Sequence, residues 1–417
     1  MTTTADRPAR GLPKAIVIGL DNLVGIQTAR ILAARGVPVI AIGDPRHPFC
    51  RTNVCESILH VETKGKELID ALVELGPTLG GEKAVLVPCS DEPVLLIARE
   101  RERLEPWYHV PLPETAVVET LLDKDSFVEF AQENGFPVPL TLTLGSREEA
   151  AEAGERLSFP CVLKPTARNP RWRNQFEEKG FKVQNTEELL EVYDRAAPFA
   201  EKLIVQEWIE GGEDSLYSCN VYFDAASKPL VTFVARKLRQ WPPVTGQSAL
   251  GEECRNDEVL NITVELFEAA RFRGLGYIEM KRDVRTGRHL LVEANVGRPT
   301  GRSAIAEAGG VDLLYTMYCD TVGRPLPANR EQTYGGVKWI YLRSDVQAAL
   351  RQWLQGELTL RQWWGTWRGR KGYAVLSWRD PRPFLFDFMA AIRDLAGARG
   401  RSFLRRLAMG SRDPKKS

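Results

Sequence analysis

The chain has 417 residues, too many for one ordinary hydrophobic core, so two or three domains are expected. Its 56 Lys and Arg balance 55 Asp and Glu, leaving a formal net charge of +1 that excludes a global field drawing in nucleic acid. No run of about 18 apolar residues occurs, the opening MTTTADRPARGLPK has no signal-peptide core, and the seven cysteines are an odd number. The expectation is a cytoplasmic, multidomain protein with no transmembrane segment and no disulfide framework.

In chain order, KAIVIGL (14–20) reads as a buried strand and NLVGIQTARILAARG (22–36) as a helix closed by a glycine. VPVIAIG (37–43) is the next strand and KAVLVPC (83–89) a later one. Strand, helix, strand at this spacing is a βαβ unit, so residues 1–117 are expected to form a doubly wound α/β domain. Gly19 and Gly25 do not match G-x-G-x-x-G, so a dinucleotide fingerprint is absent. The loop SDEP (90–93) sits at a strand's C-terminal end, the edge where ligands bind in such sheets. His47, Cys50, Cys55 and His60 are a ligand set zinc could use, but their spacing fits no compact pattern, and ordinary strand and loop residues are the better reading.

From 118 the character changes. AVVETLLDKDSFVEFAQENGF has helical spacing and is stopped by PVP. FPCVLKP (159–165) and LIVQEWI (203–209) read as strands with a helical NTEELLEVYDRA between them. LYSCNVYFD, LVTFVARKL, LGYIEMKRDV and HLLVEAN follow as antiparallel strands, with the helix VLNITVELFEAARFRG before the third. The region 326–417 holds six of the ten tryptophans and ends in a basic tail (393–417) with eight Lys and Arg against two Asp.

The chemistry gathers where two of these strands adjoin. Alternation puts Glu279, Lys281 and Asp283 on one face, and across a turn at RTG it puts Glu293 and Asn295 on one face. Close carboxylates repel unless a cation sits between them, and hard oxygen ligands suit Mg²⁺, which commonly bridges to phosphates. Alone, the pattern fits two surface strands with solvated charges equally well. Upstream, however, Lys164 ends a buried strand and Lys124 begins a helix, and lysine is a compact point charge suited to phosphate oxygens. LIVQEWIEGGED turns polar at Gln206 and Glu207 and passes two glycines to Glu213, as a nucleotide hinge would.

LLDKDSFVEFAQENGFPVP, FPCVLKP, VQEWIEGGE, ARKLRQ and YIEMKRD…LLVEAN, in this order, resemble the ATP-grasp superfamily, and within it the carboxylate–amine ligases (ATP-dependent carboligases). The resemblance covers about residues 14–325. It implies a mixed α/β and α+β multidomain fold: a pre-ATP-grasp domain (1–117), a two-subdomain ATP-grasp domain (118–325, lid about 140–205), and a Trp-rich C-terminal region (326–417). It further implies that Lys124 and Lys164 contact ATP phosphates, that Gln206, Glu207 and Ile209 form the adenine hinge, and that Glu213 meets the ribose. Glu279, Glu293 and Asn295 would hold two Mg²⁺ ions (Mn²⁺ an acceptable substitute). Arg236 or Lys237 would reach the transferring phosphoryl group, and Arg298 the carboxylate substrate.

Two departures stand out. The loop after Lys164, TARNPRWRNQFEEKGFK, has one glycine where relatives are glycine-rich, and carries Arg168, Arg171, Arg173, Lys179 and Lys182; with few apolar anchors, it is expected to be a mobile lid. EANVGRP displaces by one position the arginine of the usual Asn-Pro-Arg. The implied reaction activates a carboxylate as an acyl phosphate for attack by an amine, with small-molecule substrates and a homo-oligomer as the expected assembly. An ATP-grasp enzyme with another acceptor, such as a carboxylase, and a non-catalytic ATP-binding module are the alternatives. The tail, with Phe403, Leu404, Leu407 and Met409 among arginines, is a candidate for peripheral contact with an anionic membrane.

Overall fold

The structure, a computed structural model, describes residues 11–166, 169–176, 178, 180–243 and 246–396. Arg168 and Lys179 of the basic loop, and the tail beyond residue 396, lie outside the described residues. The described chain forms three sheets.

The first comprises β1 (Ala15–Ile18), β2 (Val39–Ile42), β3 (Ser57–Leu59), β4 (Ala84–Pro88) and β5 (Tyr108–His109) in the order β3-β2-β1-β4-β5, every pairing parallel. Both faces of β1 and β2 are covered, which is why they read as unbroken apolar runs. Ile16, Ile18, Ile40 and Ile42 enter a core with Leu68, Leu72 and Ile97. Ala15, Val17, Val39 and Ala41 enter another, shared with Tyr222, Phe233, Leu313 and Trp339 from later in the chain. Gly25 lets the helix Leu23–Ala34 press onto the turn after β1, because a Cβ there would lie 2.1 Å from the Gly19 carbonyl oxygen. The two glycines serve helix–strand packing.

The second sheet comprises β6 (Thr141–Leu144), β7 (Cys161–Pro165), β8 (Phe181–Val183) and β9 (Leu203–Glu207), antiparallel in the order β6-β9-β7-β8. Its core includes Leu163, Val205, Leu189 and the fully buried Trp172. Trp172 belongs to a short helix, Pro170–Gln175, in the basic loop, and its indole Nε1 donates to the Glu178 carbonyl at 2.9 Å. Phe176 packs against Trp172, Phe181 and Phe199. The expectation of a loop with few apolar anchors is therefore corrected: aromatic side chains pin it to the sheet.

The third sheet comprises β10 (Leu216–Phe223), β11 (Pro229–Trp241), β12 (Gln247–Glu253), β13 (Gly274–Arg282), β14 (His289–Val296), β15 (Lys338–Ile340) and β16 (Lys371–Tyr373), in the order β14-β13-β10-β11-β12-β15-β16. All pairings are antiparallel except β15 with β16. One face packs Cys219, Val221, Val234 and Ile278 under the helix Asp257–Ala269. The opposite face is apolar at Tyr222 and Phe233, where it meets the first sheet, and becomes polar toward Ser218, Glu279 and Lys237. That polar end is where a site can form.

Two further differences from the sequence reading have local causes. The helical stretch from 115 is broken in two, Thr115–Leu122 and Lys124–Glu133, because the Asp123 carboxylate accepts from the Ser126 amide at 3.0 Å and caps a new helix. The polar, glycine-containing QSALGEE gave no strand signal, yet it is β12, held between β11 and β15. The Trp-rich region thus adds two strands to the third sheet. Among the described residues, no helix is long and apolar enough to cross a membrane.

Candidate active site

Glu279 on β13 and Glu293 on β14 are direct cross-strand partners, and the register slips by one residue just after Glu279. Asn295, two residues on, shares the Glu293 face, and its Nδ2 donates to Glu293 Oε1 at 3.2 Å. Glu293 is exposed to water yet closely surrounded by protein. Burial, and then the neighbouring Glu279 charge, push its carboxyl above the usual range, while Asn295, Lys124 and Lys237 pull the other way. Two acids held face to face with an amide beside them have a net appetite for positive charge. Asp283 lies beyond β13 in the hairpin turn, paired with Arg285 at 3.1 Å, and is absent from this cluster. Among the described residues no group of three or more His, Cys, Asp or Glu could hold a metal ion, so any cation here would rest on two carboxylates and an amide. His47 accepts from the Phe49 amide and Cys50 is packed in a core.

Facing Glu279 are three groups. Lys237 of β11 is buried with its Nζ 3.7 Å from Glu279 Oε2 and 3.1 Å from Gln240 Oε1. Burial lowers its pKa, against the pull of Glu279. Tyr277 donates its hydroxyl to Glu279 Oε2 at 2.9 Å. Arg302 reaches the Tyr277 hydroxyl at 2.5 Å and Glu279 at 3.4 Å with Nη2, while its Nε and Nη1 are buried without a hydrogen-bond partner among the described residues. Room for it comes from Gly251, where a Cβ would fall 2.8 Å from Arg302 Cδ. Arg236 is on the other face of β11, bound to Glu252 at 2.9 Å, so the structure brings Lys237 and not Arg236 to the carboxylates.

Lys164 and Lys124 approach from the second sheet and from the helix that Asp123 caps. Lys164 Nζ donates to Gln206 Oε1 at 2.9 Å, and Gln206 donates on to Thr141 Oγ1 at 2.7 Å. Burial, and then the neighbouring Lys124 charge, lower the Lys164 pKa. Glu207 turns its carboxylate onto the Ser158 amide at 2.9 Å. The Glu207 and Trp208 amides bond to the Leu140 and Pro160 carbonyls, and Ile209 follows in the segment that leads to the third sheet. Trp208 has Lys182 and Lys281 over its ring at 4.8 and 5.3 Å. Glu213 is drawn under the end of β11, where it accepts from the Gln240 amide at 3.0 Å, and burial raises its pKa.

Arg298 joins this cluster to the first sheet. It follows Gly297, whose φ of +71° turns the chain after β14. Its Nε donates to Asp91 Oδ1 at 2.6 Å and its Nη2 to Asn295 Oδ1 at 2.5 Å. Asp91 opens the helix Asp91–Arg99 that follows β4 in the SDEP loop. Sequence reasoning left Tyr277 and Gln240 without roles, and reached Asp91 and Arg302 only as members of the SDEP loop and the GRPTGR turn. A tyrosine two residues before Glu279 on the same face was a usable signal; the other contacts join segments with no local relation.

No family model matches the chain. A D-aspartate ligase of Enterococcus faecium is 27% identical over 267 residues, covering 61% of this chain and 62% of that protein. D-alanine–D-alanine ligase B of Pseudomonas putida is 25% identical over 210 residues, covering 46% of this chain and 61% of that protein. Each match thus spans less than two thirds of the relative's own length. Among solved structures, an N5-carboxyaminoimidazole synthetase from Staphylococcus aureus complexed with ADP superposes with a TM-score of 0.58 at 15% identity, covering 78% of this chain and 81% of that one.

Proposed function

We propose, from the premise that this chain is a member of the ATP-grasp superfamily, that it is an ATP-dependent carboxylate–amine ligase, joining its substrates in an amide and releasing ADP and phosphate. The observation that carries the reading is the facing pair Glu279 and Glu293 with Asn295 and the buried Lys237 beside it. The names of the curated relatives, ligases of D-aspartate and of D-alanine, support a small amino acid as one substrate.

The donor set fits Mg²⁺: two facing carboxylates, Glu293 being raised by burial and then by the Glu279 charge, and an amide oxygen that keeps a second lone pair beside Arg298. Bound there, Mg²⁺ would neutralise charge on the transferring phosphoryl group. The chain's own contribution is positioning and fixed positive charge. Lys124 and Lys164 would take the phosphates, with Lys164 aimed by Gln206, and Ile209 and Glu213 would hold the nucleoside. Lys237 faces Glu279 at 3.7 Å and in this reading meets the γ-phosphoryl group as it moves to the substrate carboxylate. The acyl phosphate so formed loses phosphate when the amine attacks its carbonyl carbon. Tyr277 and Arg302 hold Glu279 in line, and Arg298 ties Asn295 to the SDEP loop, so the C-terminal edge of the first sheet is the natural side for the amine or carboxylate. In this reading the N-terminal α/β unit acts as the pre-ATP-grasp domain and the second sheet with its pinned loop as the lid.

The test is incubation with ATP, Mg²⁺ and a panel of D- and L-amino acids, following phosphate and new amides by mass spectrometry. Phosphate release that requires both a carboxylate and an amine is the expected result. Release without any amine would assign another acceptor, and ATP binding without release would leave a nucleotide-binding module.

A further inference from the structure

The helices of the C-terminal region are apolar on the outside. Helix Leu342–Leu354 turns Asp345, Ala348 and Ala349 inward and leaves Trp353 exposed at its end. In the short helix Leu360–Thr366, Leu360 and Trp364 are 60% and 70% exposed; Trp378, in the segment before the last helix, is 90% exposed. Helix Arg382–Ala396 exposes Phe388 and Met389. These helices adjoin: Trp363 of the second and Trp367 just after it donate to Asp345 of the first, and Arg343 of the first reaches Asp387 of the last at 2.9 Å.

The charge on this surface is one-sided. Among the described side chains from 342 to 393 there are four acids. Asp345, Asp380 and Asp387 are buried and bound to Arg239, Arg30 and Arg343, which leaves Glu357 as the exposed one. Arg361, Arg368, Arg370, Arg379, Arg382 and Arg393 are all exposed. The sequence that follows, 397–417, adds seven Lys and Arg and one Asp.

We propose that this face docks on an anionic lipid bilayer. Tryptophan settles at the headgroup level, where its ring is apolar and its N–H is wet, and arginine beside it meets lipid phosphate. Trp364 shares one surface depression with Arg361 of its own helix and with Arg368 just beyond that helix, which is that pairing in miniature. A second copy of this chain is a poor occupant, because two surfaces with the same arginine excess repel. The proposal does not depend on the ligase reading, since none of these side chains belongs to the candidate active site.

The test uses the full chain with sedimentable vesicles of phosphatidylcholine, with and without phosphatidylglycerol, at low and physiological salt. Binding that requires phosphatidylglycerol and weakens with salt is expected. Loss of one basic group near such a surface lowers partitioning about five-fold, so Arg361→Gln/Arg368→Gln is expected to lose about 25-fold. Trp364→Ser/Trp378→Ser is expected to lose about ten-fold or more. Both variants should keep the wild-type melting temperature and the same ATP turnover in solution. Full-length protein that stays in the supernatant with anionic vesicles at low salt overturns the proposal. So does wild-type binding by both variants, which would assign the interaction to residues 397–417. Self-association abolished by Trp364→Ser, without vesicle binding, would overturn it in favour of a contact between copies.

Discussion

Arg239 Nε lies 2.7 Å from Asp345 Oδ1, and both residues are buried. The other carboxylate oxygen accepts from the indoles of Trp363 and Trp367 at 3.1 and 3.2 Å, and Arg239 also donates to Thr366 Oγ1 at 2.9 Å. Arg239 is a neighbour of Gln240, whose amide holds Glu213. One ion pair therefore fastens the Trp-rich helices to the strand that carries Lys237.

Removing the acid from that pair would strand a buried guanidinium. Asp345→Leu is expected to destabilise the protein by about 3–5 kcal/mol. It should also weaken nucleotide binding, because the end of β11 loses its brace. Urea unfolding and calorimetry with ATP read the two effects separately. An unfolding midpoint equal to wild type would show that the pair is not a structural tie.

Glu293→Gln should leave the fold intact and lower ATP turnover by more than about 100-fold, since one of two facing carboxylates loses its charge. Phosphate release is the assay, and near-normal release from folded protein would remove Glu293 from any metal role. Circular dichroism of the same sample establishes the folding.

Lys164→Ala removes a partly buried ammonium that donates to a neutral amide, Gln206. A charged hydrogen bond of this kind is worth about 1.5–3 kcal/mol, so ATP affinity should fall roughly 10- to 150-fold. Equal affinities by calorimetry would make Lys164 an ordinary lysine.

Gly251→Ala would push Arg302 off its place beside Glu279, because the added Cβ would sit 2.8 Å from Arg302 Cδ. The expected outcome is a lower kcat with the melting temperature reduced by only a few degrees. Unchanged kcat would mean that Arg302 contributes nothing to holding Glu279.

Glu307 gives a prediction in pH. Burial pushes its carboxyl up to about 7 from 4.5, and its Oε2 is buried with no hydrogen-bond partner among the described residues. The folded state therefore holds a proton that the unfolded state releases near 4.5. This contribution to stability is full below that pH and is lost as pH rises through 7. Glu307→Gln keeps the acceptor for the Leu314 amide and removes the titration. The variant should be more stable than wild type above pH 7, by about 1–3 kcal/mol. Its melting temperature should also vary less between pH 4.5 and 7. Parallel melting curves for the two proteins across that range would exclude Glu307 as the cause.

The amount of this that was legible in the sequence differs by element. The hairpin carrying Glu279 and Glu293 could be read because alternation on two strands and a short turn bring those side chains to one face, although the register slip after Glu279 and the end of β13 at Arg282 leave Asp283 out. The parallel sheet was readable from its unbroken apolar runs. The choice between Arg236 and Lys237 was not, since adjacent residues on a strand face opposite ways and only the register with β10 decides. β12 was invisible because its strand character comes from its two neighbours. Arg298 and Asp91 are 207 residues apart, so nothing local announces their contact. Asp123 reads as one more polar residue until its carboxylate is seen capping the helix that presents Lys124.

The pairing of β15 with β12 bears on how the chain can be divided. Ile340, Trp339 and Lys338 cover the open rim of β12 at Leu250, Gly251 and Glu252. A fragment ending before residue 338 would present that rim as a row of unpaired amides and carbonyls next to the buried, apolar Ala249 and Leu250. Such a fragment would recruit strands from other molecules, and its failure as a soluble enzyme would reflect aggregation at an uncapped sheet. The C-terminal region is thus the chain's own protection against edge-to-edge assembly, whatever else its outer surface binds.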